Sequence, residues 1–247
     1  MTNVIKTFGI TANASLKTMG AGIARASVKT WNGKDAVAAS YLPSDNPTSL
    51  IAWFRTGVGI TESGGFASVW ADQSGNGNDL LQATGTNQPA YSAGVLTFDG
   101  VDNRMKCAAF TLNQPEQISC LLKQITWTNF DSLYDGNTID TMVLGCVSAT
   151  PNLRLYAGTN GAATTQLAVD TWGVVSAVFN GASSSLKVDD NSPSTGTPGL
   201  GNAGGFTFGG AATGASYYGN VAVKEIIIRN VNDATIRAND HAYLQTL

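Results

Sequence analysis

The chain has 247 residues, long enough for one large β sandwich or two small domains. Charged residues make up only 13% of it and the net charge is −3, which leaves no basic field to attract nucleic acid. No apolar run approaches the ~18 residues that would span a membrane, and three glutamates (Glu62, Glu116, Glu225) among 28 glycines argue for tight turns over long exposed helices.

Residues 1–46 read as a separate arm. The segment Ala12–Met19 recurs as Ala24–Trp31 with a period of 12 residues, each copy running into glycine. Its A-x-A-S-Φ-K-T-Φ pattern alternates sides, as in a short strand followed by a turn. A unit this short cannot bury its own face. Leu16, Met19, Val28 and Trp31 are therefore expected to dock the arm onto a partner. Leu42–Pro47 reads as a hinge.

From residue 47 onward the chain reads as strand after strand. Strands are expected at Leu50–Phe54, Val95–Phe98, Met105–Phe110, Ile118–Trp127, Thr141–Val147, Leu153–Ala157, Trp172–Phe179, Ser185–Val188, Phe206–Gly209 and Val221–Arg229. Asp72–Asp79 packs Asp, Ser, Asn and Gly into one turn, followed by the apolar step Leu80-Leu81. Asn180-Gly181 is a hairpin signal. Asp233–Leu247 reads as one short helix, capped by Asn232 or Asp233, with Ile236, Tyr243 and Leu247 near one face. Cys107, Cys120 and Cys146 match no zinc or redox spacing and read as buried free thiols. The expected fold is an all-β jelly-roll sandwich over 47–247, with an extended N-terminal arm and a short C-terminal helix.

Three landmarks carry a family resemblance over residues 48–247. They are W-x-D-x-S-G-N-G-N with F-D-G-V-D-N (Trp70–Asn78 and Phe98–Asn103), Trp172–Gly181 with Leu186–Asp189, and Val223–Arg229 leading to Tyr243-Leu244. In this order they resemble laminin-G-like or concanavalin-A-like lectin/glucanase domains. The resemblance implies a glycan-binding or structural module. In the arm, Val28–Gly33 resembles the N-terminal segments of bacteriophage tail and head-fibre proteins.

Catalytic machinery is not legible. No Glu-x-Asp-x-x-Glu run is present, and Asp131, Asp135 and Asp140 read as a solvated turn. His241, the one histidine, is expected at the helix surface, away from any triad. Gly199–Gly204 matches G-x-G-x-x-G but precedes a strand, so it reads as a loop. Asp72, Asn78, Asp79, Asp99 and Asp102 could converge on calcium, but capping of their own turns is the simpler reading, and no cofactor is expected. For glycan contact the candidates are Tyr217 and Tyr218, then Trp127 and Tyr134, while Trp53, Trp70 and Trp172 read as core.

Together these features lead to the expectation of a non-enzymatic structural protein of a bacteriophage virion, a capsid decoration or a tail/fibre component. Its partners would be other virion proteins and further copies of itself, and its sandwich would face host-surface glycan. The alternatives are a soluble carbohydrate-binding module and a glycan-processing enzyme.

Overall fold

The computed structural model describes residues 41–147, 151–214 and 216–247. The repeat and its docking residues Leu16, Met19, Val28 and Trp31 lie outside the described residues. Within them the chain is an all-β sandwich with a single C-terminal helix, as expected.

The strands are β1 (Leu50–Phe54), β2 (Ile60–Ser63), β3 (Phe66–Trp70), β4 (Leu80–Leu81), β5 (Ala90–Ser92), β6 (Val95–Asp99), β7 (Met105–Lys106), β8 (Glu116–Gln124), β9 (Ser132–Asp135), β10 (Val143–Cys146), β11 (Leu153–Tyr156), β12 (Asn160–Thr164), β13 (Trp172–Phe179), β14 (Ser184–Val188), β15 (Ser194–Gly196), β16 (Thr207–Phe208) and β17 (Asn220–Arg229). The helix α1 is Ala234–Leu244.

Two antiparallel ladders build the sandwich. In one, β15, β14, β13, β8 and β17 pair in that order, and β17 carries β1 on its C-terminal half and β6 on its N-terminal half. In the other, β12, β11, β10, β9, β16, β7, β4, β3 and β2 follow one another. The β5–β6 hairpin joins the ladders at one edge through β3. Strands that alternate apolar side chains inward meet face to face. Ile118, Cys120 and Leu122 of β8 and Val175, Ala177 and Phe179 of β13 share one core with Leu144, Leu153, Leu155, Phe206 and Phe208. Phe206 is its aromatic centre, 6.4 Å from the Phe54 ring and 5.5 Å from the Tyr134 ring. Tyr134 is therefore a core residue and is withdrawn from the glycan candidates: burial of the whole ring outweighs the polarity of its hydroxyl.

The opposite faces of β8, β13 and β17 carry Gln117, Ser119, Ser176, Glu225 and Arg229, all buried. Helix α1 covers this layer, with Leu244 packed among Trp53, Leu121, Val174 and Ile227. Asp233 caps the helix by accepting from the Thr235 and Ile236 amides at 2.8 and 3.0 Å. The helix buries Asp240, His241 and Leu244, not the Ile236, Tyr243 and Leu247 face. His241 is thus buried where the sequence placed it at the surface, because the sheet beneath is polar and receives a polar helix face. Residues 41–49, which include the Leu42–Pro47 segment read as a hinge, hold two short 3-10 turns, Pro43–Asp45 and Pro47–Ser49. Arg229 donates to the carbonyls of Pro43 and Asn46 within this segment.

The Asp72–Asp79 turn is a staple. The Asp72 carboxylate accepts from the amides of Trp53, Ser74 and Asn78, and the Asn76 and Asn78 side chains donate to carbonyls of β1. All three cysteines are buried free thiols.

Candidate functional site

On the β9–β10–β11 ladder a pocket of about 190 Å³ opens to solvent. Its lining combines three rings (Phe130, Tyr156 and Tyr217), one cation, Arg154, and one carboxylate, Asp140, above a floor that includes Ser132 and Gly145. Phe130 and Tyr217 are 54% and 48% exposed, two large rings displayed at one pocket.

Each lining group is placed by the local backbone. Phe130 sits just before β9 with its amide donating to the Cys146 carbonyl at 3.0 Å, which ties it to β10. Tyr217 is held by its carbonyl, which accepts from the Ser132 amide at 3.0 Å. Tyr218 follows in a parallel bridge to Ser132, and its hydroxyl donates to the Gly214 carbonyl. Arg154 and Tyr156 lie two apart on β11 and so project from the same face. The Arg154 guanidinium lies 5.5 Å from the Tyr156 ring centre and 5.9 Å from that of Phe130, and it donates to the Asn160 side chain at 2.5 Å. It forms no ion pair among the described residues.

Phe130, Asp140 and Tyr217 have φ of 74°, 64° and 60°. Half of the positive-φ non-glycine residues among those described thus stand around this one pocket. That conformation costs roughly 1–3 kcal/mol at each position and persists only where the surroundings enforce it.

At Asp140 the enforcing partner is Asp135. It is fully buried at the end of β9, and its carboxylate accepts from the amides of Gly136, Asp140, Thr141 and Ala212 at 2.7–3.3 Å. Asp135 therefore does not belong to a solvated turn, although the segment ends in an exposed turn at Asp140. The carboxylate replaces backbone partners for the loop that carries Asp140. Burial pushes the Asp131 carboxyl up to about 6, and burial together with the Asp131 charge pushes the neighbouring Cys146 thiol up to about 12.

Of the residues singled out from sequence, Tyr217 lines the pocket and Tyr218 anchors the loop beside it. Trp127 is partly buried against the core, its indole N–H donating to the Asn152 carbonyl at 3.1 Å. Asp140, weighed among the clustered aspartates and set aside as part of a turn, also lines the pocket, whereas Phe130, Arg154 and Tyr156 were not among the residues singled out. The signal available in the sequence was L-R-L-Y over 153–156, an alternating strand with a cation and a ring on its exposed face.

No group of three or more His, Cys, Asp or Glu is placed to hold a metal among the described residues. Asp72 and Asp99 direct their oxygens to the amides of their own turns.

No family model matches the chain, and a search of curated proteins returns no match. Solved structures do match. The Trypanosoma rangeli sialidase in complex with sialic acid gives a TM-score of 0.59 at 15% identity, over 81% of this chain and 33% of that one. The same sialidase with 2,3-difluoro-KDN gives 0.60 at 15%, over 91% and 36%. An arabinofuranosidase complexed with arabinofuranosyl-alpha-1,2-xylobiose gives 0.51 at 13%, over 73% and 50%. The chain thus spans about a third of the length of the sialidases and half that of the arabinofuranosidase. At these identities the likeness establishes the β-sandwich fold. The matched proteins are a sialidase and an arabinofuranosidase, both enzymes and neither a bacteriophage structural protein, and on that finding both the reading as a bacteriophage structural protein and the expectation of a non-enzyme are corrected.

Proposed function

We propose that the sandwich is the saccharide-recognising part of a glycan-processing enzyme, with the β9–β10–β11 pocket as its sugar site. One observation carries this reading: three rings converge with an arginine and a carboxylate on a pocket whose backbone is strained into place. Ring faces suit the apolar C–H faces of a pyranose or furanose, while Arg154, Asp140 and Ser132 offer the donors and acceptors that hydroxyl groups require. The volume is below the ~300 Å³ at which pockets for drug-sized ligands begin, which suits one sugar ring at the end of a chain.

Two further lines support the reading. The matched sialidase and arabinofuranosidase structures hold sialic acid and an arabinofuranosyl oligosaccharide. The sequence landmarks resemble laminin-G-like or concanavalin-A-like domains. Glycoside hydrolysis most often uses two carboxyl groups. Asp140 lines this pocket, and Asp131, raised to about 6, lies in the chain between the lining residues Phe130 and Ser132.

A glycan array probed with the full-length chain tests the binding, and release of 4-nitrophenol from a panel of 4-nitrophenyl glycosides tests the chemistry. The expected result is binding of a restricted set of terminal sugars, with turnover that Asp140→Asn removes. Failure to bind any saccharide overturns the proposal, and binding without turnover overturns its enzymatic half.

A further inference from the structure

A second cavity, of about 430 Å³, opens on the other side of the molecule between α1 and the outer faces of β13 and β14. Ser176 of β13, Lys187 of β14, Asp190 in the turn that follows, and Arg237 and His241 of α1 line it. It is separate from the β9–β10–β11 pocket and shares no residue with it.

His241 lies at the centre of this cavity's chemistry. Its side chain is 7% exposed. Nδ1 stands 3.3 Å from the Ser176 hydroxyl, and the Ser119 hydroxyl donates to Ser176 at 3.3 Å. With its oxygen already accepting from Ser119, Ser176 has its own proton to give, and Nδ1 is the acceptor in reach. The ring proton is then on Nε2. Nε2 is buried and has no hydrogen-bond partner among the described residues. Asp190 Oδ1 lies 3.7 Å away, beyond hydrogen-bond reach, on a side chain 85% exposed. A buried donor without an acceptor is rare and unfavourable, and this one lines a cavity large enough to admit a ligand.

The charges around it specify what that ligand is. Lys187 and Arg237 stand on the walls, and Arg237 takes only the neutral Asn232 side chain as its partner in the described structure. Asp189, the other nearby acid, is directed at the Val174 amide at 2.8 Å. Burial, then the charge of Lys187, hold the imidazole below its ordinary range, while Asp190 and Asp189 oppose them.

We infer that this cavity binds an oxyanion, a sulfate or carboxylate group received by His241 Nε2 and flanked by Lys187 and Arg237. The oxyanion supplies the missing acceptor and displaces the exposed Asp190 carboxylate. A sugar-borne anion and a free one present the same group to these residues.

Because His241 is the chain's one histidine, its Cε1 proton is a single reporter in the NMR spectrum. The full-length protein is titrated with inorganic sulfate, glucose 6-sulfate and glucose, with chloride at matched ionic strength as control. Sulfate and glucose 6-sulfate are expected to shift the His241 resonance saturably and to raise its titration midpoint by roughly one pH unit, as a close opposite charge does. The tighter of the two identifies the source. Lys187→Gln and Arg237→Gln each weaken the effect about tenfold and leave the ligand-free His241 signal in its folded position. A shift matched by chloride or by glucose overturns the inference, as does no shift or one unchanged in both variants.

Discussion

Arg229 grips Asp240 with two bonds, Nε to Oδ2 at 2.6 Å and Nη2 to Oδ1 at 2.8 Å, and both side chains are wholly out of solvent. The pair ties β17 to α1, and the remaining Arg229 donors reach the Tyr41 hydroxyl, the Pro43 and Asn46 carbonyls and the Ser49 hydroxyl. One side chain thereby fixes three segments. Asp240→Ala leaves the guanidinium buried without its counter-charge and is expected to lower stability by about 3–5 kcal/mol in urea unfolding. Replacing both partners with apolar residues is expected to cost less than the single change, since no charge is then stranded.

Gly209 follows β16 at φ 88°, and a Cβ there would stand 2.1 Å from the Phe98 ring carbon Cδ1. The ring is fully buried and cannot retreat. Gly209→Ala is expected to cost roughly 3 kcal/mol or more, as overpacking adds to backbone strain. Gly64, at φ 63° with open space around it, is the control: Gly64→Ala carries the backbone strain alone, roughly 1–2 kcal/mol. Thermal unfolding of the two variants separates the contributions.

Glu116 is buried in β8, with one carboxyl oxygen 3.3 Å from the Ala203 amide and the other without a partner. Burial pushes its carboxyl up to about 8. The folded state therefore holds this proton more tightly than the unfolded chain does. The stabilisation is complete below the ordinary carboxyl range near 4.5 and is lost as pH rises from there through about 8. Urea midpoints measured across that window are expected to fall for the native protein and to fall less for Glu116→Gln, which does not ionise.

Cys107, Cys120 and Cys146 are buried, and burial raises all three thiols. A thiol reagent at neutral pH is expected to titrate none of them rapidly in the folded protein and all three in urea, because the thiolate is the reactive form. Rapid modification of one thiol without denaturant would contradict the packing described for that strand.

The fold was legible where the side-chain period was strong. β1 and β13 fall on the strands expected from alternation, and β17 and α1 lie within a few residues of theirs. β2, β12 and β15 were missed because I-T-E-S, N-G-A-A-T and S-T-G carry small or polar residues that alternation cannot register. β9 was missed for a different reason. S-L-Y-D is buried throughout and ends in an aspartate whose charge reads as solvent until its four amide partners are seen. The site suffered most from this. Tyr217 was visible as a ring in a glycine-flanked loop, but Phe130, Asp140 and Arg154 converge only through β9–β10–β11 pairing, and local sequence does not encode that convergence. His241 was misplaced because a helix was assumed to bury only apolar residues.

The rings and the arginine of the β9–β10–β11 pocket are proposed to hold a sugar. The most direct measurement is calorimetric titration of the saccharide found on the array into the native chain, Tyr217→Ala and Arg154→Ala. Both side chains reach the surface, so their loss leaves the core intact. Each substitution is expected to weaken binding at least about tenfold, the equivalent of 1.4 kcal/mol, with the unfolding midpoint unchanged. Native affinity in both variants would contradict the proposal and place the sugar elsewhere on the sandwich.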